Sequence, residues 1–278
     1  MDYMNRRKFV QTLGGGMMLA QLGPFFSCNK VQKPNFILIQ MDDLGWSDLG
    51  IHGNTMVDTP NIDKLGHESV RFNQFYVNPC CAPSRASLLT GRHFLRTGVS
   101  HVHGGKDYLH LEEKTIGDAF KIGGYKTGMW GKWHSGHTDG YFPWERGFDT
   151  AYMAQLYKHH ESNGQLNGKY VSHGAWADEV LIDRAIDFMK THKGQPFFCY
   201  ISSLTCHSPL DAPEVFVEKL KKKQLSDSLA TLYAMIEFCN RLKGTDKIHL
   251  LEISCTYNLC CHLPGKCEDR CTIHFSIP

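Results

Sequence analysis

Residues 81–92 read CAPSRASLLTGR, a stretch that places a reactive side chain directly before the start and stop signals of a short helix. Pro83 suits the first turn of a helix because its missing N–H has no acceptor there, and Gly91 suits the position after the last turn. The spacing therefore predicts a helix over residues 83–90. Its N-terminus would lie against Cys81, where free N–H groups and a partial positive charge favour an anion.

Two carboxylates follow the first strand signal. Residues 35–41 (NFILIQM) form a short apolar run, typical of a strand buried on both faces of a parallel sheet, and Asp42 and Asp43 come directly after it. Ligands of open α/β sheets bind beyond the carboxyl ends of the strands, so this pair predicts a site for a hard cation. A solvated turn or a helix cap is the alternative. Arg85 adds a permanent cation, able to pair with a tetrahedral anion or a carboxylate.

Polar residues also follow a second strand signal. Thr115, with Asp118 three residues later, predicts a helix N-terminus, and a short strand is expected afterwards at about residues 126–130. The chain then delivers Lys132 and His134 just beyond this strand. Taken alone, these residues fit equally well an exposed lysine and a packed histidine.

A third strand signal, residues 196–202 (PFFCYIS), follows a predicted helix at about residues 176–190. Past its end comes the sequence CHSPL, which contains His207. We expect the three strand ends to converge on one site that handles an anion.

These segments together resemble the sulfatase family. Residues 81–92 match every defined position of the family signature Cys-x-Pro-x-Arg and the Thr-Gly-Arg that closes it. Four further segments resemble other parts of the sulfatase N-terminal region: residues 44–50 (LGWSDLG), 59–65 (TPNIDKL), 131–134 (GKWH) and 207–210 (HSPL).

The resemblance implies an α/β sandwich of the alkaline-phosphatase type, with a mostly parallel sheet and helices on both faces, represented by its N-terminal portion. It also implies that a formylglycine-generating enzyme oxidises Cys81 to formylglycine, whose hydrate attacks sulfate esters. An unmodified thiol cannot complete the later elimination of sulfate, so Cys81 in its encoded form is expected to be inactive.

By the same resemblance, each polar residue has an expected role. Asp42, Asp43 and the modified residue 81 would hold a divalent metal, with calcium preferred and magnesium as the alternative. The other roles are sulfate binding by Lys132 and His207, electrostatic catalysis by Arg85, and contact with the hydrated aldehyde, as a base, by His134.

The likeness stops after Glu237. The family continues with a strand that ends in Asp-Asn and completes the metal shell, but no Asp-Asn pair occurs in residues 239–278. The carboxylate nearest to the position expected for this pair, at the end of the apolar run 248–253, is Glu252, which lies inside the run. We therefore expect a partial sulfatase domain over residues 34–238, truncated or frameshifted after about residue 238, and a divergent cysteine-rich tail. A small zinc or disulfide module is the alternative for that tail.

The N-terminus resembles a twin-arginine export signal. Arg6 and Arg7 precede a weakly apolar, glycine-rich stretch, and Cys28 fits an imperfect lipoprotein cleavage box. Residues 1–28 are thus expected to direct export to the periplasm, or to a lipid anchor at Cys28, in a bacterial envelope. The net charge of +2 gives no case for nucleic-acid binding, and no later run of 18 apolar residues predicts a transmembrane span.

The expected activity is hydrolysis of a sulfate ester in a sulfated small molecule or a sulfated carbohydrate. A phosphonate or phosphate monoester hydrolase of the same superfamily and an inactive remnant are the two alternatives.

Overall fold

The computed structural model describes residues 33–240 and the backbone of two further strands at residues 249–254 and 273–275. Contacts between Cα atoms divide the chain into residues 1–33 and residues 34–278, and the fold below is that of the second unit. The predicted export signal and the cysteines of the predicted tail beyond Cys239 lie outside the described residues.

Within the described residues, six α-helices and nine strands are connected by loops that contain four 3₁₀ turns. The helices are α1 (Pro60–Glu68), α2 (Cys81–Thr90), α3 (Ile116–Ile122), α4 (Ala177–Thr191), α5 (Glu214–Lys221) and α6 (Asp227–Cys239). The strands are β1 (Phe36–Met41), β2 (Val70–Arg71), β3 (Lys126–Gly131), β4 (Thr150–Ala154), β5 (Asn163–Leu166), β6 (Lys169–Ser172), β7 (Phe197–Ser202), β8 (His249–Ser254) and β9 (Ile273–Phe275). The 3₁₀ turns are Trp46–Asp48, Gly50–His52, Phe94–Arg96 and Pro143–Glu145.

The described strands form one sheet in the order β2-β9-β8-β1-β7-β3-β4-β5-β6. The central strands β8, β1, β7, β3 and β4 pair in parallel, whereas the pairs toward both edges are antiparallel. The hairpin between β5 and β6 turns at Asn167 and Gly168, whose φ angles of 46° and 81° fit a two-residue turn that twists with its strands. The predicted α/β fold is confirmed, and the parallel pairing is confined to the centre of the sheet.

Alternate residues of the central strands point to opposite faces of the sheet, and both faces carry helices. Ile37 and Cys199 belong to a buried cluster with Leu181 of α4. Leu38 and Phe198 belong to a second cluster, which includes side chains of α2 and α3. This alternation explains why β1 and β7 are apolar throughout, as their sequences predict.

Helix α2 starts two residues earlier than predicted. Its first residue is Cys81, Cys80 is the N-cap, and Gly91 ends the helix in the left-handed region with φ 66°. Pro83 is therefore the third helical residue and not the first. This costs no hydrogen bond, because the first N–H that bonds back into the helix belongs to Ser84, which donates to Cys80 O at 3.1 Å.

The other helices differ little from their predictions. Thr115 caps α3 with the expected capping box, in which Asp118 Oδ2 accepts from Thr115 N at 2.8 Å. The helix predicted at about residues 176–190 is α4, and its buried residues include Leu181, Ala185 and Phe188. None of the described helices combines the length and the hydropathy that crossing a bilayer requires.

The register of the sheet brings three strand ends together. Gly131 of β3 and Gln40 of β1 both pair with Ser202 of β7, so these strands finish at the same level. Asp42 N then donates to Thr205 O at 2.7 Å, which ties the loop after β1 to the loop after β7. The polar residues that follow the three strands emerge side by side.

Candidate active site

Asp42 anchors the bottom of the site, where it binds two cationic side chains. Lys132 Nζ donates to Asp42 Oδ2 at 2.5 Å, and Arg85 Nη2 donates to Asp42 Oδ1 at 3.2 Å. All three side chains are at most 1% exposed. Burial alone would raise the pKa of Asp42, but Lys132 and Arg85 outweigh it and lower that pKa to about 2. We call Asp42, Arg85 and Lys132 the floor of the site.

Arg85 is held by more than this ion pair. Its Nη1 donates to Lys132 O at 3.2 Å, to Gln40 Oε1 at 3.3 Å and to Ser202 Oγ. Of the two partners that the sequence left open for Arg85, a tetrahedral anion and a carboxylate, the structure provides the carboxylate of Asp42. In this arrangement Arg85 shapes the field beneath the site, at a buried position fixed by strands β1 and β7.

Cys81 lies above the floor at the N-terminus of α2. Lys132 Nζ is 3.5 Å from Cys81 Sγ, and His134 Nδ1 is 3.3 Å from it. Burial raises the pKa of the Cys81 thiol, while Lys132 acts in the opposite direction. The encoded thiol therefore stays protonated at neutral pH and is a poor nucleophile.

A backbone carbonyl fixes the orientation of His134. His134 Nε2 lies 3.0 Å from Val102 O, which can only accept a hydrogen bond, so this nitrogen carries the proton. Burial and the charge of Lys132 lower the pKa of His134 to about 4, so the ring is neutral near pH 7. Its Nδ1 lone pair consequently points at residue 81, the geometry that a base for this residue requires.

Asp43 and His207 lie close to each other at the site. Asp43 Oδ2 is 3.8 Å from His207 Nε2, and Asp43 itself is 9% exposed. Burial and the adjacent Asp42 raise the pKa of Asp43 to about 7. The two neighbouring carboxylates thus differ sharply: Lys132 and Arg85 hold Asp42 ionised, whereas for Asp43 burial and the charge of Asp42 outweigh the same two cations.

A cavity of about 240 Å³ opens above Cys81. It is lined by Cys81, Val102, His103, Tyr157 and His207. We call its four loop residues, Val102, His103, Tyr157 and His207, the mouth of the site. His207 was predicted from the sequence; the other three belong to loops without a recognisable motif and were missed.

A sequence profile of the sulfatase family matches residues 34–248. The chain belongs to the sulfatase family. The match includes all the site residues described above and extends beyond Glu237, where the motif likeness had seemed to end. The human N-acetylgalactosamine-6-sulfatase is 30% identical over 230 residues, which are 71% of this chain and 44% of the relative. Arylsulfatase G of Canis lupus familiaris is 48% identical over 134 residues, 46% of this chain and 24% of the relative.

Solved structures place this sulfatase chain in the predicted fold. The crystal structure of Ps i-CgsB superposes with a TM-score of 0.79 at 27% identity, over 89% of this chain and 66% of that one. A protein of the alkaline phosphatase superfamily from Vibrio parahaemolyticus superposes with a TM-score of 0.58 at 19% identity, over 88% and 60% of the two chains. The alkaline-phosphatase-like fold is confirmed. This chain spans about half the length of the curated sulfatases it matches.

One buried carboxylate of this sulfatase domain was missed because it lies inside a helix. Asp178 of α4 accepts hydrogen bonds from Ser203 Oγ and Thr205 Oγ1, both at 2.6 Å, and from Leu204 N at 3.3 Å. It thereby fixes the loop that leads from β7 to His207. Acidic residues are common in the first turn of helices, so Asp178 does not stand out in the sequence. No sequence pattern identifies the loop that it binds.

The carboxylates of the site fit a hard cation as part of a larger shell. Within the described residues, no group of three or more His, Cys, Asp or Glu side chains is arranged to hold a metal. Asp42 and Asp43 nevertheless supply only oxygen donors, which calcium and magnesium prefer. Burial and the charge of Asp42 raise the pKa of Asp43 although Lys132 and Arg85 oppose them, and a bound divalent cation would lower that pKa.

Proposed function

We propose that this chain is part of a sulfate ester hydrolase that acts on a sulfated carbohydrate and uses formylglycine made from Cys81. One observation carries the proposal: residue 81 lies at a helix N-terminus, with Lys132 Nζ and a neutral His134 Nδ1 both within 3.5 Å of its side chain. A cation and a base thus converge on the one residue that the family signature marks for oxidation.

The floor suits an anionic substrate. A sulfate monoester repels nucleophiles, and negative charge shifts to the leaving oxygen in the transition state, so the site must present fixed positive charge. Lys132 is the cation nearest to residue 81 and would contact the sulfate. Arg85 adds positive charge from below, and the N–H groups at the start of α2 add the helix dipole.

His134 acts on residue 81 in this proposal. The hydrated aldehyde would supply a hydroxyl that attacks sulfur and a second hydroxyl whose deprotonation releases sulfate. Because His134 Nε2 is committed to Val102 O, its Nδ1 is free to accept that second proton. His207 lies at the cavity and would assist the sulfate or the departing alcohol.

Asp42 and Asp43, together with an oxygen of modified residue 81, would hold the divalent metal. We prefer calcium, since its large and irregular shell tolerates ligands from separate loops, and magnesium is the alternative. When bound, the cation would polarise the sulfate and neutralise the charge around Asp43. The remaining ligands of its shell would come from outside the described residues or from water.

A carbohydrate substrate is favoured by the relatives and by the site. The human relative is named for its action on an N-acetylgalactosamine 6-sulfate, and Ps i-CgsB has also been solved with a neocarrahexaose bound. Aryl sulfates remain the competing class because arylsulfatase G is a relative too.

The test combines mass spectrometry with assays of ester hydrolysis. The full chain is produced together with a formylglycine-generating enzyme. The mass of the peptide that contains residue 81 is determined by mass spectrometry, and calcium binding is measured by calorimetry. Sulfate release from galactose 6-sulfate and phenyl sulfate is then compared with phosphate release from galactose 6-phosphate. We expect aldehyde at residue 81, calcium binding and preferential sulfate release. Cys81→Ala should lose the aldehyde and the sulfate release, and should bind calcium more weakly because one proposed ligand is removed.

Two outcomes would contradict the proposal. Faster release of phosphate would favour the phosphate ester hydrolase. Aldehyde formation without calcium binding or turnover would favour an inactive remnant.

We also propose that residues 1–28 export the protein, with Cys28 as a lipid attachment site. This rests on Arg6, Arg7 and the apolar stretch that follows them. Fractionation of a bacterial host with and without Arg6→Lys/Arg7→Lys tests the export route, and Cys28→Ala tests the anchor. Retention of the wild-type chain in the cytoplasm would contradict both the proposed export and the proposed lipid attachment.

A further inference from the structure

Tyr157 occupies an unusual position at the mouth of the site. It lines the cavity above Cys81, and its ring centroid lies 5.1 Å from that of His207 at an interplanar angle of 55°. Its side chain is 42% exposed, so a large aromatic ring borders the entrance without being covered by the protein. An exposed aromatic face beside a cavity is a common binding element for a ring with an apolar face.

The backbone at Tyr157 is strained. Its φ of 62° lies in the left-handed region, which is unfavourable for a residue with a bulky side chain. Such strain persists only where the surrounding structure holds it, and it concentrates at functional sites. Nothing in the packing of the core requires this strain, because the ring lies at the surface of the cavity and not in one of the buried clusters.

The neighbouring residues hold Tyr157 in place. His159 Nε2 donates to His207 O at 2.8 Å, and Ala177 N donates to His159 O at 2.7 Å. An isolated β-bridge between His160 and Trp176 fixes the next residue. The loop that carries Tyr157 is thus attached both to the His207 loop and to the start of α4, so the ring is held at the rim of the cavity.

We propose that Tyr157 is a specificity-determining residue, on whose ring the sugar ring of the leaving alcohol stacks while its sulfate lies over Cys81. This proposal rests on the proposed function, and it identifies a residue by which the same site would select its substrate. The cavity of about 240 Å³ is smaller than a typical site for a drug-sized ligand, and it suits one sulfated ring. His103 also lines the cavity, and its ring nitrogens would offer hydrogen bonds to sugar hydroxyls, which a phenyl leaving group lacks.

The test measures binding to the chain with Cys81 in its encoded form, which is not expected to turn over. Calorimetry in calcium-containing buffer gives dissociation constants for inorganic sulfate, galactose 6-sulfate and phenyl sulfate. We expect galactose 6-sulfate to bind about tenfold more tightly than inorganic sulfate, the scale of one good aromatic contact. Tyr157→Ala should abolish this advantage, and Tyr157→Phe should keep most of it.

Tyr157→Gly separates the ring from the backbone. Glycine adopts a φ of 62° without strain, so this variant removes the ring while it preserves the loop conformation. We expect it to lose the sugar advantage as completely as Tyr157→Ala. Tyr170→Ala is the matched control, because Tyr170 is 71% exposed on strand β6, away from the cavity lining.

Each outcome has a distinct meaning. If inorganic sulfate binds but the sugar advantage survives in Tyr157→Ala and Tyr157→Gly, the role of Tyr157 is overturned while the proposed function stands. If phenyl sulfate binds as tightly as galactose 6-sulfate, the assignment of a sugar ring is overturned. If no probe binds, including inorganic sulfate, the sulfate site itself is overturned.

Discussion

The floor and the mouth of the site are built in different ways. The floor consists of charged side chains that the central strands bury and that satisfy one another, with Arg85 at 0% exposure and Lys132 and Asp42 at 1%. The mouth consists of loop residues, among them a Tyr157 that is strained and 42% exposed. The difference teaches that the positive charge of the proposed sulfate site is fixed by the fold, whereas the proposed contacts to the rest of a substrate come from loops attached to the fold.

The largest effect is expected at His134, which connects the two regions. Its Nδ1 faces residue 81 and its Nε2 binds the carbonyl of Val102 at the mouth. His134→Ala should lower kcat for sulfate release by roughly 100-fold to 10 000-fold, because a positioned base is lost. Mass spectrometry should still detect aldehyde at residue 81. An unchanged kcat with aldehyde present would exclude His134 as the base.

The next prediction contrasts the two adjacent carboxylates. Asp42→Asn leaves Lys132 and Arg85 buried without their counter-ion and should destabilise the calcium-free chain by about 3–5 kcal/mol. Asp43→Asn removes a repulsive charge, so the free energy of unfolding should change by less than about 1 kcal/mol.

Urea unfolding measures the stability of both carboxylate variants, and calcium calorimetry should show weakened binding in both. Equal destabilisation by the two changes would mean that the floor does not distinguish Asp42 from Asp43.

A smaller loss is expected at Asp178, which supports the His207 loop from beneath. Asp178→Asn weakens three hydrogen bonds to a charged acceptor and should cost about 1.5–3 kcal/mol of stability. Asp183→Asn, an exposed position on the same helix, should stay within about 0.5 kcal/mol of the parent in urea unfolding. Equal free energies of unfolding for the two variants would show that Asp178 does not stabilise the loop that carries His207.

The smallest predicted effect is at Tyr200, beneath the floor. Its hydroxyl bonds Gln40 Oε1 and also accepts from Arg85 Nη1 at 3.4 Å. Tyr200→Phe should lower the free energy of unfolding by about 1–2 kcal/mol, the cost of one buried hydrogen bond. Tyr170→Phe, at an exposed position, provides the baseline in the same thermal scan. No difference between the two would mean that this hydroxyl is dispensable.

The same contrast explains what the sequence could predict. The floor follows from short apolar strands and the residues that succeed them, because parallel strands end at one edge of the sheet. Asp42, Lys132 and His134 were therefore found. The start of α2 was misplaced by two residues because proline is tolerated throughout the first helical turn.

The mouth could not be predicted in this way. Tyr157 and His103 line the same cavity only because the tertiary fold brings their loops together, and no local sequence pattern specifies which loops do so. The antiparallel edge hairpin, by contrast, carried a signal that was overlooked: Asn167-Gly168 is a strong marker of a two-residue turn. The ion pair between Arg85 and Asp42 left no signal, because either partner for the arginine was chemically reasonable.

The burial of the signature has a consequence for the order of events during biosynthesis. Ala82, Pro83 and Arg85 are all buried in the finished fold. An oxidising enzyme that reads Cys-x-Pro-x-Arg as a linear sequence cannot grasp these side chains once helix α2 has packed. If residue 81 is oxidised as we propose, the modification would have to precede folding of this segment, and a chain that folds first would keep the thiol at this position.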